Sequence, residues 1–179
     1  GNGTRLQPMT LAVNKQLLHI YDKPMIYYPL STLMLAGIRE ILIISSREAQ
    51  PSFQKLLGNG DNLGLEISYS EQQQPNGIAE AFIIGEEFID NQPCALILGD
   101  NVFHGHGLSD LLTNAAQLTS GAHIFTNWVS DPERYGVANF DKVGNIIGLT
   151  EKPEKPISNW AVVGIYFFDN RVSAIAKSV

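Results

Sequence analysis

The chain has 179 residues, 44% hydrophobic and 17% charged, a balance that suits one folded domain with a sizeable core and excludes a disordered chain. A net charge of −6 argues against a nucleic-acid-binding surface, so the expected partner is a small anion held where basic residues gather locally. One cysteine, Cys94, excludes an internal disulfide and a cysteine metal cluster, and neither a signal core nor an apolar run of about 18 residues is present, which points to the cytoplasm and away from a membrane.

In chain order, "GNGTRLQPMTLAVNK" opens with two glycines that let successive N–H groups face one small space, and it adds the charges of Arg5 and Lys15. Such a turn suits a phosphate chain, although it matches neither the dinucleotide fingerprint nor the Walker loop. "PMIYYPLSTLMLAG" sets Ile26, Leu30, Leu33 and Met34 at helical spacing, with Pro24 before the helix and Gly37 at its end. "REILIISS" is a short β-branched run expected as a strand buried on both faces, "QPSFQKLLG" a short helix, and "LEISYS" an alternating strand. "GIAEAFIIGEEFI" predicts one helix, "CALILGDN" a second buried strand with Cys94 as a buried thiol, and "SDLLTNAAQL" a helix capped by Ser109.

After these the pattern predicts strands and almost no helix: "AHIFTNWV", "YGVANFD", "GNIIGLTEKP" and "VVGIYFFD", with "DKVGN" as a hairpin turn. Alternating β and α followed by strands implies a three-layer α/β domain, its central sheet mostly parallel with an added antiparallel portion. Ligands in such sheets bind beyond the carboxyl ends of the strands, which is where Asp100 falls.

Each candidate residue carries an ordinary reading beside a chemical one. Asp100 is a natural Mg²⁺ ligand or a turn aspartate. "EQQQPNG" offers amides that match the imide edge of thymine or uracil, or it is a polar loop. "DPERYGV" presents Tyr135 as a flat face and Gly136 as open backbone for a sugar ring, or it is a strand entry. In "TEKP", Glu151 accepts from hydroxyls and Lys152 meets a phosphate, unless the two are an exposed charge pair. His19, His104, His106 and His123 show no metal spacing.

Taken in order, "GNGTRLQPMT", "KQLLHIYDKPMIYYPLSTLMLAGIREILIIS", "FIIGEEFI", "LGDN", "DPERYGV", "EKP" and "SNWAVVGIYFFD" closely resemble the sugar nucleotidyltransferases, and within them the glucose-1-phosphate thymidylyltransferases. The resemblance runs through nearly the whole chain and implies a single three-layer α/β/α, Rossmann-like nucleotide-diphospho-sugar transferase domain over 1–179. It implies that Gly1, Gly3, Thr4 and Arg5 belong to the triphosphate loop and that Lys15 contacts phosphates. Gln16 and Gln72 would bind the nucleoside, with Gln72 and the backbone of Gly77 reading thymine. Asp100 would hold Mg²⁺, the sole cofactor. Tyr135 and Gly136 would line the sugar pocket, and Glu151, Lys152 and Val162 would hold the sugar phosphate.

The implied reaction forms dTDP-glucose and pyrophosphate from dTTP and glucose 1-phosphate, feeding dTDP-rhamnose and cell-surface polysaccharide synthesis from a cytoplasmic homotetramer. A uridylyltransferase using UTP, or a non-catalytic nucleotide-sugar-binding fragment, are the rival readings. His19, Trp160 and "SREAQP" depart from the family's usual proline, tyrosine and "TPxDxP". The family's first strand, ahead of the glycine loop, and its downstream "WLDTG" aspartate lie outside this sequence, so the chain is expected to be trimmed at both ends and inactive by itself.

Overall fold

The computed structural model describes residues 4–74 and 76–179. Three short 3-10 turns, Thr4–Leu6, Met9–Leu11 and Lys15–Leu17, lead into a two-residue hairpin of β1 (His19–Ile20) and β2 (Lys23–Pro24). Next comes α1 (Tyr27–Leu35), which buries Leu30 and Leu33. It closes as a Schellman turn: Ile38 N–H donates to the Leu33 carbonyl and Gly37 N–H to that of Met34, with Gly37 at φ +83.

Strand β3 (Glu40–Ser45), helix α2 (Gln50–Leu57) and strand β4 (Glu66–Glu71) form a β-α-β unit whose strands pair in parallel, Glu40 with Glu66 through Ser45 with Glu71. The expected helix over 77–89 is instead two, α3 (Glu80–Ile84) and α4 (Glu86–Ile89). They divide at Gly85, where an added Cβ would lie 3.0 Å from the Ala81 carbonyl oxygen and 3.2 Å from Leu42, so the residue marks a close approach to β3.

β5 (Cys94–Ile97) and α5 (Leu108–Ala116) follow, and Gly107 in the left-handed region precedes α5. Ser109 therefore lies inside that helix and does not cap it. β6 (Ala122–Trp128), β7 (Gly136–Phe140), β8 (Ile146–Glu151) and β9 (Trp160–Phe168) match the strand-rich second half. α6 (Val172–Ala176) was not expected; its apolar residues are too few to show a period, and it is held by burying Val172 and Ala176 against Phe82.

The expected α/β layering is present. Ala95 and Ile97 of β5 face α1 and α5, while Cys94 and Leu96 face α3 and α6, so one strand separates two helical layers. β9 pairs antiparallel with β5, β6 and β7, and β7 pairs antiparallel with β8. Parallel pairing among the described residues is confined to β3 with β4, a smaller share than the alternating pattern implied.

The reason is local. Among the described residues β3 pairs with β4 alone and β5 with β9 alone, and a cavity of about 1050 Å³ lies between β3 and β5, lined by Ile41, Ile43, Ala95 and Ile97. Cys94 lines the same space and is half-buried rather than enclosed; burial still pushes its thiol up to about 11, so it is protonated at neutral pH. Among the described residues no helix is long and apolar enough to cross a membrane.

Candidate active site at the carboxyl ends of the strands

The turn Lys15–Leu17 is built by Asn14, whose side-chain oxygen accepts from Gln16 N–H at 3.1 Å. It is tied to the start of α1 because Ile26 N–H donates to the Gln16 carbonyl and Met25 N–H to that of Leu18, each at 2.9 Å. This places Lys15 and Gln16 over the end of β5. There Gly99 permits contact: a Cβ on it would stand 3.1 Å from Gln16 Cγ.

Beside it, Lys15 Nζ lies 2.6 Å from Asp100 Oδ2, both side chains about one-third exposed. Two residues that the sequence separates by 85 positions thus form one charged centre. Asn101 packs onto Gly164 of β9, where any Cβ would collide with Asn101 Nδ2 and stand 2.7 Å from Leu98 Cδ1. The sequence reading missed that pair, although a glycine inside an apolar strand is a signal of close approach.

Gln72 leaves β4 and donates its backbone N–H to the Ser45 carbonyl at 2.9 Å, so it continues the parallel ladder past its last pair. Gln16, Gln72, Gly77 and Gly99 line the same cavity that lies between β3 and β5, with Gly77 at φ +105, a conformation that favours glycine. The nucleoside candidates are thereby brought together. Glu80 was not foreseen: its carboxylate accepts from Gln72 Nε2 at 2.6 Å and from Asn76 Nδ2 at 3.0 Å.

A second group gathers on β7, β8 and β9. Gly136 opposes Glu151, and Lys152 N–H donates to the Tyr135 carbonyl at 2.9 Å. Gly136 leaves room for the carboxylate, since a Cβ there would stand 3.0 Å from Glu151 Oε2. Lys152 sits at φ +42, an unusual conformation for a residue with a side chain, and pairs with Glu151 at 2.9 Å. Val162 follows Ala161, which pairs with Val137, the neighbour of Gly136. Leu98 N–H donates to the Gly164 carbonyl, so Val162 and Asp100 both lie beyond the β5 end of the β5–β9 ladder.

Thr4 and Arg5 are exposed on the first turn; Gly1 and Gly3 lie outside the described residues. Among the described residues no cluster of three or more His, Cys, Asp or Glu is arranged as a metal cage. Asp100, with its side chain about one-third exposed, has the chemistry of a single donor to Mg²⁺, since this metal takes one or two carboxylates with water and phosphate oxygens for the rest.

A family model described as nucleotidyl transferase matches residues 1–179. The chain belongs to the nucleotidyl transferase family. This member is 56% identical, over its whole length, to a glucose-1-phosphate thymidylyltransferase of Xanthomonas campestris and 54% identical to one of Neisseria gonorrhoeae. It spans 61% and 62% of those relatives. Among solved structures, a Bacillus anthracis protein assigned as a glucose-1-phosphate thymidylyltransferase, with sucrose bound, superposes with a TM-score of 0.90 at 37% identity, covering all of this chain and 72% of the other. A UDP-glucose pyrophosphorylase with UDP-glucose gives 0.82 at 28% identity, with 76% of that chain covered. The Rossmann-like α/β class read from the sequence is thus the fold of this family.

Proposed function

We propose that the full protein carrying this chain is a glucose-1-phosphate thymidylyltransferase, forming dTDP-glucose and pyrophosphate from dTTP and glucose 1-phosphate. The observation that carries the reading is the Lys15–Asp100 centre, flanked by the Gln16, Gln72 and Gly77 cavity and lying on the same rim as the Tyr135 to Lys152 group. The higher identity to thymidylyltransferases than to the uridylyl enzyme favours dTTP over UTP.

In this reading a phosphate oxygen of the sugar attacks the α-phosphorus in line and pyrophosphate leaves, so no covalent nucleophile is required and positioning with charge neutralisation does the work. Asp100 would hold Mg²⁺, which when bound supplies charge neutralisation to phosphate oxygens. Lys15 and Arg5, with the loop of Gly1, Gly3 and Thr4, offset charge on the leaving pyrophosphate. Gln72 and the Gly77 backbone read the base, and Gln16 supports the nucleoside. Tyr135 and Gly136 receive the sugar, while Glu151, Lys152 and Val162 orient its phosphate. A cytoplasmic homotetramer feeding dTDP-rhamnose and polysaccharide synthesis belongs to the same proposal and rests on the resemblance.

The β3–β5 cavity bears on how much of the enzyme 1–179 supplies. Two strand edges that are unpaired among the described residues, β3 at Ile41 and Ile43 and β5 at Ala95 and Ile97, suit one more strand between them, which we place ahead of Gly1 in the full protein, leaving the Gln16, Gln72, Gly77 and Gly99 end of the same cavity for the nucleoside. Pyrophosphate release tests both points. The full protein is expected to release it from dTTP with glucose 1-phosphate faster than from UTP, and residues 1–179 alone are expected to be silent. A uridylyl preference would overturn the substrate assignment, and comparable turnover by the short chain would overturn the strand.

A further inference from the structure

We infer that Glu80 is a positioning residue that fixes which edge of the Gln72 amide faces the nucleotide, and so excludes cytosine from the site. The inference rests on the proposed role of Gln72 in reading the base.

The geometry runs as a chain of fixed groups. Gln72 is anchored through its backbone to Ser45, and Glu80 is the first residue of α3. The Glu80 carboxylate takes Gln72 Nε2 on Oε2 at 2.6 Å, Asn76 Nδ2 on Oε1 at 3.0 Å, and Asn76 N–H on Oε2 at 3.4 Å. An ionised carboxylate can only accept, so only the NH2 side of the amide can meet it. These bonds hold the Glu80 carboxyl below its usual range, the one from Gln72 contributing most, and keep it ionised near neutral pH.

With Nε2 committed, the Gln72 carbonyl oxygen is the edge turned away from Glu80. Gln72 and Gly77 line the same cavity; with Nε2 held by Glu80, the amide would offer its oxygen as acceptor to a base there, and the Gly77 backbone N–H would serve as the accompanying donor. Thymine and uracil present an N3–H donor between carbonyl acceptors and match that pair. Cytosine presents a bare N3 acceptor in the same position, where it would face the amide oxygen and gain no bond. An unconstrained glutamine could rotate its amide and accept either base; Glu80 removes that option.

The test uses the full-length protein and measures the dissociation constants of dTTP, dCTP and pyrophosphate for wild type, Glu80→Gln and Gln72→Ala, with circular dichroism to check folding. Glu80→Gln keeps the size but offers either a donor or an acceptor to Gln72. It is expected to lower the dTTP-to-dCTP preference by roughly tenfold while pyrophosphate affinity stays unchanged. Glu80→Ala gives the same readout should the first variant fail to fold.

If Gln72→Ala lowers the preference and neither Glu80 variant does, the positioning role is overturned while base reading stands. If Gln72→Ala leaves the preference intact, base reading fails and the inference with it. Equal loss of affinity for all three ligands in the Glu80 variants would mark a merely structural residue and also overturn the inference.

Discussion

Lys15 Nζ and Asp100 Oδ2 stand 2.6 Å apart, joining a turn near the start of the chain to the loop just beyond β5. With each side chain about one-third exposed, such a pair contributes at most about 1 kcal/mol to folding. It is therefore cheap to separate. Under the proposed function an entering polyphosphate would draw Lys15 to its phosphate oxygens and free the carboxylate to hold a metal, an exchange of partners that a fully buried pair would resist.

That exchange predicts the behaviour of Lys15→Ala in the full protein. If the ammonium is aimed at charge developing on the leaving pyrophosphate, kcat and kcat/KM fall together by on the order of 10²–10³. Steady-state kinetics checks this. A rise in KM with kcat unchanged would mean that Lys15 merely binds the ground state.

Gly164→Ala tests how Asp100 is placed. The new methyl would collide with Asn101 Nδ2 and crowd Leu98, the two residues that bracket Gly99 and Asp100. If relief of the clash shifts the strand end, the variant is expected to unfold at lower denaturant by about 1–3 kcal/mol and to lose turnover beyond that. Urea titration with matched kinetics checks both. Unchanged stability and activity would show that Asn101 swings aside without moving Asp100.

Asp169 gives a pH dependence of stability. It is buried at the end of β9, where the Arg171 guanidinium bonds both carboxylate oxygens and the backbone N–H groups of Arg171 and Gly121 donate to it, holding its carboxyl well below the usual range. A depressed folded pKa means the contribution is complete above the ordinary carboxylate value of about 3.9 and is lost as pH falls towards the folded one. The stability gap between wild type and Asp169→Asn is thus expected to be full at pH 7 and reduced at pH 3. A gap of constant size across that range would contradict the linkage.

The legible part of this molecule was whatever a period or a buried run could carry. β3, β4, β5 and β9 were readable as apolar β-branched stretches, and α1 from its Leu30 and Leu33 spacing. Pairing was not readable, because a buried strand looks alike beside a parallel or an antiparallel neighbour; the long β9, which joins β5, β6 and β7, decides that balance only in three dimensions. The break at Gly85 depends on Leu42 across the layer, which no local pattern records.

The site shows the same division. Asp100 and Lys15 stood out by residue type and position, but their contact spans 85 residues and belongs to the fold. Glu80 was hidden for a different reason: inside "GIAEAFIIG" it has the look of a first-turn helix glutamate, and its bond reaches from the start of α3 to Gln72, just after β4, which no helical pattern records.

Turnover of Asp100→Asn as a function of Mg²⁺ concentration tests the central claim most directly, because one substitution removes the charge from the centre on which the mechanism rests. In the full protein the account predicts an intact fold and pyrophosphate release from dTTP and glucose 1-phosphate that drops strongly at limiting Mg²⁺. Near wild-type turnover under those conditions would contradict it, and would move the metal and the chemistry away from the Lys15–Asp100 pair.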